Sequence, residues 1–234
     1  MAKGYVVDLW CGTKSATEIW KENGFIVISV DSNPDFEPTI CKDILDVTAQ
    51  EIREAVGRVN GSGEYTNPTF VWASPQCTWY SLTNMRWNTH FDPETKEALT
   101  ESAVMINARV MHTLKIIQEL DPVYWVLENP RALLRTMNFM KPYPRATVSY
   151  CQYGHDRMKP TDLWGRFPIT WNPLLCSLGA PCHVAAPRGS KEGANSPNVK
   201  DRVKAAMIPY GLTESIYNSS LESRGEAWKT LRDY

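Results

Sequence analysis

Short apolar runs alternate with segments of helical spacing along the first 130 residues. The apolar runs are "GYVVDLW", "FIVISVD", "TFVWAS" and "YWVLENP", with a weaker one in "TICKDILDV". The helical patterns lie between them, in "SATEIWKENG", in "AQEIREAVGRV" and over residues 94–120. Strands that are almost wholly apolar and alternate with helices are typical of a parallel sheet covered on both faces. We therefore predict an α/β fold with a mostly parallel sheet and helices on both sides.

The second half of the chain predicts a division into core and insertion. "RALLRTMNFM" has the pattern of a short helix, but from about residue 165 the sequence is rich in Pro, Gly, Ser and Asn without a sustained period. Helical spacing returns after residue 200, apart from a break at Pro209. Long irregular segments in compact proteins tend to be functional or disordered. We predict a core over 1–164, a small irregular insertion over 165–200, and C-terminal helices over 201–234 that complete the core.

Composition narrows the class of protein. With 234 residues and 43% hydrophobic residues, the chain can bury one full core. No apolar run approaches the roughly 20 residues of a membrane span. The N-terminus enters the first apolar run without a signal-peptide pattern, so we expect a cytoplasmic protein with reduced thiols. The six cysteines lack the dense spacing of a disulfide framework, which agrees with that expectation.

Charge is distributed unevenly although the net charge is only −1. Residues 1–130 hold 10 Lys and Arg against 18 Asp and Glu, whereas residues 131–204 hold 12 against 4. The basic part is interspersed with aromatic residues and prolines, so it is no disordered tail. A folded basic face favours phosphate binding, and a merely solvated cationic surface is the alternative.

Reactive side chains follow four of the predicted strands. Asp31, Asp43, Cys77 and Glu128 each come at or just after the end of an apolar run. In parallel sheets, ligands bind outside the carboxyl ends of the strands. A thiol on a strand-end loop, with a carboxyl group at the next strand end, therefore indicates a catalytic pair. The alternatives are a buried inert thiol and a strand-end acid whose hydrogen bonds are satisfied.

The first strand leads into a turn typical of nucleotide binding. "VVDLWCGTKSATEIW" predicts strand, tight turn and helix, a layout in which free N–H groups of the turn face a ligand. The turn has a single glycine, Gly12, so it is a weak dinucleotide fingerprint. Asp31, at the end of the second strand, would bind ribose hydroxyls or else act as a turn former.

These residues match a known family. The chain resembles the cytosine-5 DNA methyltransferases, most closely their short phage and bacterial type. "DLWCGTKSAT" is similar to the family's cofactor turn, Asp-Leu-Phe-x-Gly-x-Gly-Gly, and "SPQCTWYS" to its Pro-Pro-Cys-x-x-x-Ser loop. "LENPR" is similar to its Glu-Asn-Val motif, and "YGHDRMKPTDLW" and "AAMIPYGL" fall where two further motifs occur. The motifs keep the family's order over residues 5–217, and the cysteine loop with Glu-Asn is the specific part.

The chain also departs from the family pattern. A shorter insertion than usual is available for target recognition, which leaves sequence specificity open. The departures at single positions are Gln76 for a proline, Lys14 and Ser15 for a glycine pair, Arg157, Lys159 and Thr161 for Gln, Arg and Arg, and Ala206 for the usual Asn.

The resemblance implies a Rossmann-like S-adenosylmethionine-dependent methyltransferase fold and methylation of cytosine C5 in DNA. Cys77 would add to C6 of a flipped-out base, because a thiolate is strongly nucleophilic and leaves readily afterwards. Glu128 would donate to ring N3, a role that suits a buried carboxyl group with a raised pKa. Asn129 would orient the loop, and Arg157 or Lys159 would supply positive charge.

The resemblance further implies a donor site and a DNA-contact surface. Trp10 would lie near the adenine, Asp31 on the ribose and Asp43 at the adenine amino group. The full set of expected cofactor-binding residues is Asp8, Trp10, Cys11, Gly12, Thr13, Lys14, Ser15, Asp31, Asp43 and Pro75. The expected DNA contacts are Thr78, Ser81, Arg188 and Lys191.

"CSLGAPCH" contains three possible zinc ligands, Cys176, Cys182 and His183. Their spacing is not that of a standard zinc motif, and Cys151 or His155 would have to complete the site from elsewhere in the chain. We favour an irregular loop with two reduced cysteines and no metal, and keep zinc as the alternative.

Two other functions stay open at this point. The same fold and nucleophile could act on another pyrimidine acceptor, in RNA or a free nucleotide, or use a modified sulfonium donor. A catalytically idle nucleic-acid-binding protein is the alternative from another class, against which the paired Cys77 and Glu128 argue. The resemblance suggests a phage or bacterial role in restriction–modification or phage protection, and leaves the oligomeric state open.

Overall fold

A computed structural model of the chain describes residues 2–61, 67–80, 90–156, 158–182 and 201–223. Its strands are β1 (Tyr5–Leu9), β2 (Ile26–Asp31), β3 (Ile40–Cys41), β4 (Phe70–Ala73), β5 (Tyr124–Pro130), β6 (Arg145–Ser149) and β7 (Pro160–Arg166). Its α-helices are α1 (Glu18–Glu22), α2 (Ala49–Asn60), α3 (Glu101–Leu120), α4 (Asp201–Ala206) and α5 (Tyr210–Glu222). Within this described part, no helix is long and apolar enough to cross a membrane.

The described strands form one seven-stranded sheet in the order β3-β2-β1-β4-β5-β7-β6. β1 to β5 pair in parallel, and β7 runs antiparallel to both β5 and β6. The mostly parallel sheet predicted from the apolar runs is confirmed. The crossover at β1 and β4, where the strand order reverses, opens a crevice at the carboxyl ends of the strands.

Helices cover both faces of the sheet, as predicted. Along β1, Val7 and Leu9 point into one core and Val6 into the other, because successive side chains of a strand face opposite sides. The first core is completed by apolar residues of α2 and α3, and the second by apolar residues of α1 and α5. In the second core, the Trp20 ring stacks on Phe70 with centroids 4.4 Å apart.

Three predicted helices differ in the structure. The helix predicted over 94–120 begins only at Glu101, where the Thr100 hydroxyl accepts the Ala103 N–H. Upstream, the Asp92 carboxylate accepts the N–H groups of Glu94 and Thr95 and so favours a turn instead. "RALLRTMNFM" forms two 3₁₀ turns rather than a helix, and the first helix is only five residues long. The break at Pro209 is confirmed, since α5 begins directly after it.

β6 and β7 were not predicted as strands. β7 carries Asp162, which is fully buried, and its Gly165 lies against β5. A Cβ at residue 165 would come within 1.9 Å of the Trp125 carbonyl oxygen, so only glycine fits this register. A buried acid and a glycine both weaken the pattern by which a strand is recognised.

β7 ends at Arg166, so the boundary predicted after residue 164 falls inside this strand. Residues 167–182 have no regular secondary structure but are tied to the sheet. The Ser149 N–H donates to the Leu174 carbonyl over 3.0 Å, and the Trp171 indole donates to the Ser215 hydroxyl over 3.1 Å. Residues 183–200 lie outside the described part.

Candidate active site

A cavity of about 500 Å³ opens at the carboxyl ends of β1, β4 and β5. Its size suits a nucleoside-sized ligand. Eleven of the residues expected at the donor, catalytic and DNA sites line it: Asp8, Trp10, Cys11, Gly12, Thr13, Ser15, Pro75, Cys77, Thr78, Glu128 and Lys159.

The turn after β1 is tightly wound. Trp10 and Lys14 adopt left-handed backbone angles with φ of 63° and 61°, and Gly12 has φ of 45°. The Gly12 N–H donates to Asp31 Oδ2 over 3.0 Å, which ties the turn to the end of β2. Strain in non-glycine residues is found where surrounding structure holds a binding loop in place. The Lys14 ammonium donates to the Glu37 carbonyl over 2.6 Å.

Asp8 places a buried carboxyl group at the cavity. Only 1% of the residue is exposed, and the Thr17 hydroxyl donates to its Oδ2 over 2.8 Å. Burial raises the pKa of Asp8 to about 7, and the nearby Asp31 carboxylate adds to that rise, whereas the Thr17 hydrogen bond opposes it. Asp8 can therefore change its charge near neutral pH.

A smaller pocket adjoins the cavity at Trp10 and Gln76 and is lined by Asp31 and Asp43. The Trp10 indole donates to the Thr113 hydroxyl over 3.1 Å, which fixes the ring. Arg109 forms an ion pair with Asp43 and, through this hydrogen-bonded pairing, lowers the pKa of the Asp43 carboxyl. Asp43 therefore meets this pocket as a carboxylate already engaged by a guanidinium.

The loop that carries Cys77 is fixed from both sides. The Ser74 N–H donates to the Leu9 carbonyl over 3.1 Å, and the Asn129 amide donates to the Pro75 carbonyl over 3.1 Å. Cys77 then begins a 3₁₀ turn and keeps surface open to the cavity. Asn129 is fully buried and holds the loop by its hydrogen bond to the Pro75 carbonyl. It can therefore affect the position of Cys77 only through the backbone of this loop.

Glu128 is buried within β5 beside Tyr150, since the strand continues to Pro130 instead of ending before Glu128 as expected. The Tyr150 hydroxyl donates to Glu128 Oε1 over 2.8 Å, and the Lys159 ammonium lies 4.7 Å from the centroid of the Tyr150 ring. Burial raises the pKa of Glu128, while Lys159 and the Tyr150 hydrogen bond act in the opposite direction. The net direction of the pKa of Glu128 is upward, the direction expected from the sequence for a buried carboxyl group at this position.

The same groups act on the Cys77 thiol. Desolvation by the surrounding cavity wall raises the pKa of Cys77 although part of the residue is exposed, the Glu128 carboxylate adds to the rise, and Lys159 lowers it. We expected an activated thiol, but in this state the net direction is upward, because desolvation and Glu128 outweigh the lysine. Anything that neutralises Glu128 therefore favours the thiolate.

Comparison with known proteins identifies relatives that are methyltransferases. A type II methyltransferase, M.XorII from Xanthomonas oryzae pv. oryzae, is 28% identical over 144 residues, which is 57% of this chain and 30% of that protein. The methyltransferase EhMeth of Entamoeba histolytica has a TM-score of 0.50 and 13% identity, over 76% of this chain and 58% of that one. DNMT2 of Spodoptera frugiperda has a TM-score of 0.45 and 15% identity, over 79% and 58% of the two chains. No family model matches the chain.

The fold is that of a Rossmann-like methyltransferase. This confirms the α/β fold class implied by the resemblance. The chain covers about a third of the length of M.XorII, so the activity and substrate of that protein do not transfer with the fold.

The structure brings most of the expected site residues together, but not all of them can be located. Most of the turn after β1 shares the cavity with Cys77, Glu128 and Lys159, and the smaller pocket adds Asp31 and Asp43. Lys14 is not among the cavity residues, since its ammonium donates to the Glu37 carbonyl instead. Asn129 lies behind the Pro75 backbone. The expected residues outside the described part are Ser81, Arg157, Arg188 and Lys191.

Sequence reasoning missed three residues that control the site. The Tyr150 hydroxyl donates to Glu128, and Arg109 forms an ion pair with Asp43. The Thr17 hydroxyl donates to Asp8. Thr17 lies in the quoted turn motif and was detectable there. Tyr150 follows a strand that was not predicted, and Arg109 lies far along the chain from Asp43, so neither had a local signal.

Proposed function

We propose that this protein transfers a methyl group from S-adenosylmethionine to C5 of cytosine in DNA, through a covalent bond between Cys77 and C6 of the base. One observation carries the proposal: the Cys77 thiol and the Glu128 carboxyl open into one cavity with the turn after β1. A nucleophile, a proton-holding acid and a nucleoside-sized space are the parts that this reaction needs.

The residues around the cavity fit the proposed donor. Asp8 offers a carboxyl group whose negative form would favour a sulfonium cation, and its pKa of about 7 leaves it partly ionised at neutral pH. Asp31 would bind the ribose with lone pairs that its bonds to Gly12 and Asn33 leave open. Trp10 and the backbone from Cys11 to Ser15 would hold the rest, and Asp43 would meet the adenine amino group while paired to Arg109.

The side chains then have separate tasks. The Cys77 thiol gives its proton to water, and its sulfur electron pair forms the bond to C6 while the electron pair of the C5–C6 double bond moves to C5. Protonated Glu128 hydrogen-bonds ring N3, which draws electrons from the ring and removes the charge that opposes the thiolate. S-adenosylmethionine, when bound, would supply a sulfonium methyl group to C5, and its sulfur would keep the electron pair of the broken bond as an uncharged thioether. Transfer of the C5 proton to water would then restore the C5–C6 double bond and release the Cys77 sulfur with its electron pair.

DNA would approach the cavity with its target base flipped out, because cytosine C5 is inaccessible inside a duplex. The excess of Lys and Arg over residues 131–204 would bind phosphates, and Thr78 at the cavity wall would contact the nucleotide. The similarity to a protein named a type II methyltransferase supports methyl transfer as the reaction. We keep the cytoplasm as the proposed compartment and restriction–modification or phage protection as the proposed role.

Covalent trapping tests the proposal. The full chain is incubated with S-adenosylmethionine and duplex oligonucleotides in which 5-fluorocytosine replaces cytosine, and adducts are detected by denaturing electrophoresis and mass spectrometry. Fluorine at C5 blocks the final loss of a proton, so a working enzyme stays attached through Cys77. We expect an adduct on DNA that depends on the donor and maps to Cys77.

Matched variants make the test specific. Cys77→Ser should form no adduct and bind the donor nearly as the parent does, because a hydroxyl has a far higher pKa than a thiol. Cys41→Ser, which changes an exposed cysteine outside the cavity, should form the adduct normally. An adduct formed only on an RNA oligonucleotide of the same sequence would mean that RNA, and not DNA, is the acceptor. DNA binding without any adduct would support a catalytically idle nucleic-acid-binding protein.

A further inference from the structure

Three cysteine sulfur atoms meet beside the end of β6. Cys151 lies in the 3₁₀ turn Tyr150–Tyr153 that follows β6, and Cys176 and Cys182 lie in the irregular segment 167–182. The three sulfur atoms all lie within 4.8 Å of one another, and those of Cys176 and Cys182 are 3.6 Å apart.

Hydrogen bonds hold the segment in this position. The Cys176 N–H donates to the Ser149 hydroxyl over 3.0 Å, and the Leu174 N–H donates to the Tyr153 hydroxyl over 2.8 Å. The Gln152 side chain donates to the Leu175 carbonyl over 3.1 Å. Cys151 is therefore brought to the other two thiols by a built contact between two parts of the chain.

The spacing of the sulfur atoms suits a metal better than a disulfide. Zinc binds thiolates at about 2.3 Å, which places two sulfur atoms of a tetrahedral site about 3.8 Å apart. A disulfide would require about 2.05 Å, so the 3.6 Å between Cys176 and Cys182 corresponds to two thiols. Soft thiolate ligands select zinc over harder divalent cations such as magnesium.

We propose that Cys151, Cys176 and Cys182 bind one zinc ion, which fastens the irregular segment to the turn after β6. The segment exposes Leu175 and Leu178 and buries few apolar side chains of its own. Metal binding would therefore stabilise its folded position in place of apolar packing. His183 directly follows Cys182 but lies outside the described residues. The proposal therefore rests on the three thiols, with a fourth ligand completing the tetrahedron.

Metal analysis of the full chain tests the site. Protein is produced in zinc-supplemented medium, purified under reducing conditions and analysed by mass spectrometry of the metal. We expect about one zinc per chain in the parent and in Cys41→Ser, and a loss of most of it in Cys151→Ser, Cys176→Ser and Cys182→Ser. A parent that holds no zinc after reconstitution with zinc chloride would overturn the proposal.

A second measurement needs no variant and so survives a folding defect. The parent is alkylated in its native state, and the modified cysteines are read by peptide mass spectrometry. With zinc, alkylation of the three cysteines should be slower by about tenfold or more than after chelation, while Cys41 should react equally in both. Equal rates with and without chelator, or a disulfide between Cys176 and Cys182, would contradict the zinc site.

Discussion

The Tyr150 hydroxyl donates a hydrogen bond of 2.8 Å to Oε1 of Glu128. Both side chains are buried, and Tyr150 belongs to the turn that also carries Cys151. A hydrogen bond to the ionised form of an acid favours that form, so Tyr150 limits the rise in the pKa of Glu128 that burial causes. The pKa of Glu128 is thus influenced by a residue that is not among those lining the cavity.

Tyr150→Phe should raise the pKa of Glu128 further, because the hydrogen bond that stabilises its carboxylate is lost. Glu128 then keeps its proton to higher pH, and the alkaline limb of the pH dependence of kcat/KM should move upward. At neutral pH the rate should change by no more than about tenfold, since one hydrogen bond is involved. Tyr153→Phe removes a hydroxyl that binds Leu174 instead, and it should leave the profile in place.

Glu128→Gln and Lys159→Gln should change the reactivity of Cys77 in opposite directions. Glu128 raises the pKa of Cys77 and Lys159 lowers it, so alkylation at neutral pH should become faster in Glu128→Gln and slower in Lys159→Gln. The rate of iodoacetamide labelling against pH measures this directly.

Methyl transfer should nevertheless fall in both variants. In Glu128→Gln the loss should reach about 10²-fold or more, the usual contribution of a positioned acid, although its thiol is more reactive. Parental turnover in Glu128→Gln would mean that this residue acts only as a structural acid. Labelling rates that move in the same direction would rule out the electrostatic coupling.

Asp8→Asn should reduce the pH dependence of stability. The folded pKa of Asp8 is about 7 against an ordinary 3.8, so the folded state binds this proton more tightly than the unfolded state. The free energy of unfolding should therefore fall by about 4 kcal/mol as pH rises from about 4 to 7, and then level off. The amide cannot ionise and still accepts from Thr17, so urea unfolding should show a smaller fall for Asp8→Asn. Parallel curves for variant and parent would contradict the assignment.

The parallel half of the sheet could be predicted because its strands are apolar on both faces. Val6 and Val7 enter different cores, and Asp8 is the one polar residue in β1, so the apolar run is still recognisable. Cys77 follows β4 and Glu128 lies in β5, near the strand ends read from the sequence. β6 and β7 could not be predicted in this way. Asp162 is tolerated inside β7 because the Arg135 guanidinium pairs with it at 2.9 Å, a contact between distant residues that no local pattern reveals.

The site shows the same division between local and distant information. The position of a residue near the end of an apolar run can be read from the neighbouring sequence alone. For this reason Cys77, Glu128 and the turn after β1 could be singled out by reading along the chain. The groups that set their pKa values come from other elements: Lys159 from the segment before β7, and Tyr150 from the turn after β6. For that reason Lys159 alone does not bring the pKa of the Cys77 thiol below its ordinary value, and the contribution expected from Arg157 stays a prediction because that residue lies outside the described part.

The basic part of the chain leads to a prediction about salt. Arg188 and Lys191 lie outside the described residues, and their proposed contact with phosphates rests on sequence alone. Replacing both with Ala should weaken binding to all DNA sequences alike, and lower the slope of log affinity against log salt by about 1.8, at about 0.9 per phosphate. Fluorescence anisotropy across a salt series measures the slope. A changed preference among target sites would instead mean that this part of the insertion reads bases.

Asp31→Ala should weaken S-adenosylmethionine binding by about 1.5–3 kcal/mol, the range for hydrogen bonds to a charged group. Part of the loss would come from the turn, since Asp31 also accepts the Gly12 and Asn33 N–H groups. Asp31→Asn separates the two effects, because its amide oxygen can still accept one backbone N–H while the charge is gone. We expect an intermediate loss for Asp31→Asn by calorimetric titration, and unchanged DNA affinity for both variants. If Asp31→Ala kept the parental dissociation constant for the donor, the donor would not lie at the end of β2, and the proposed site would be wrong.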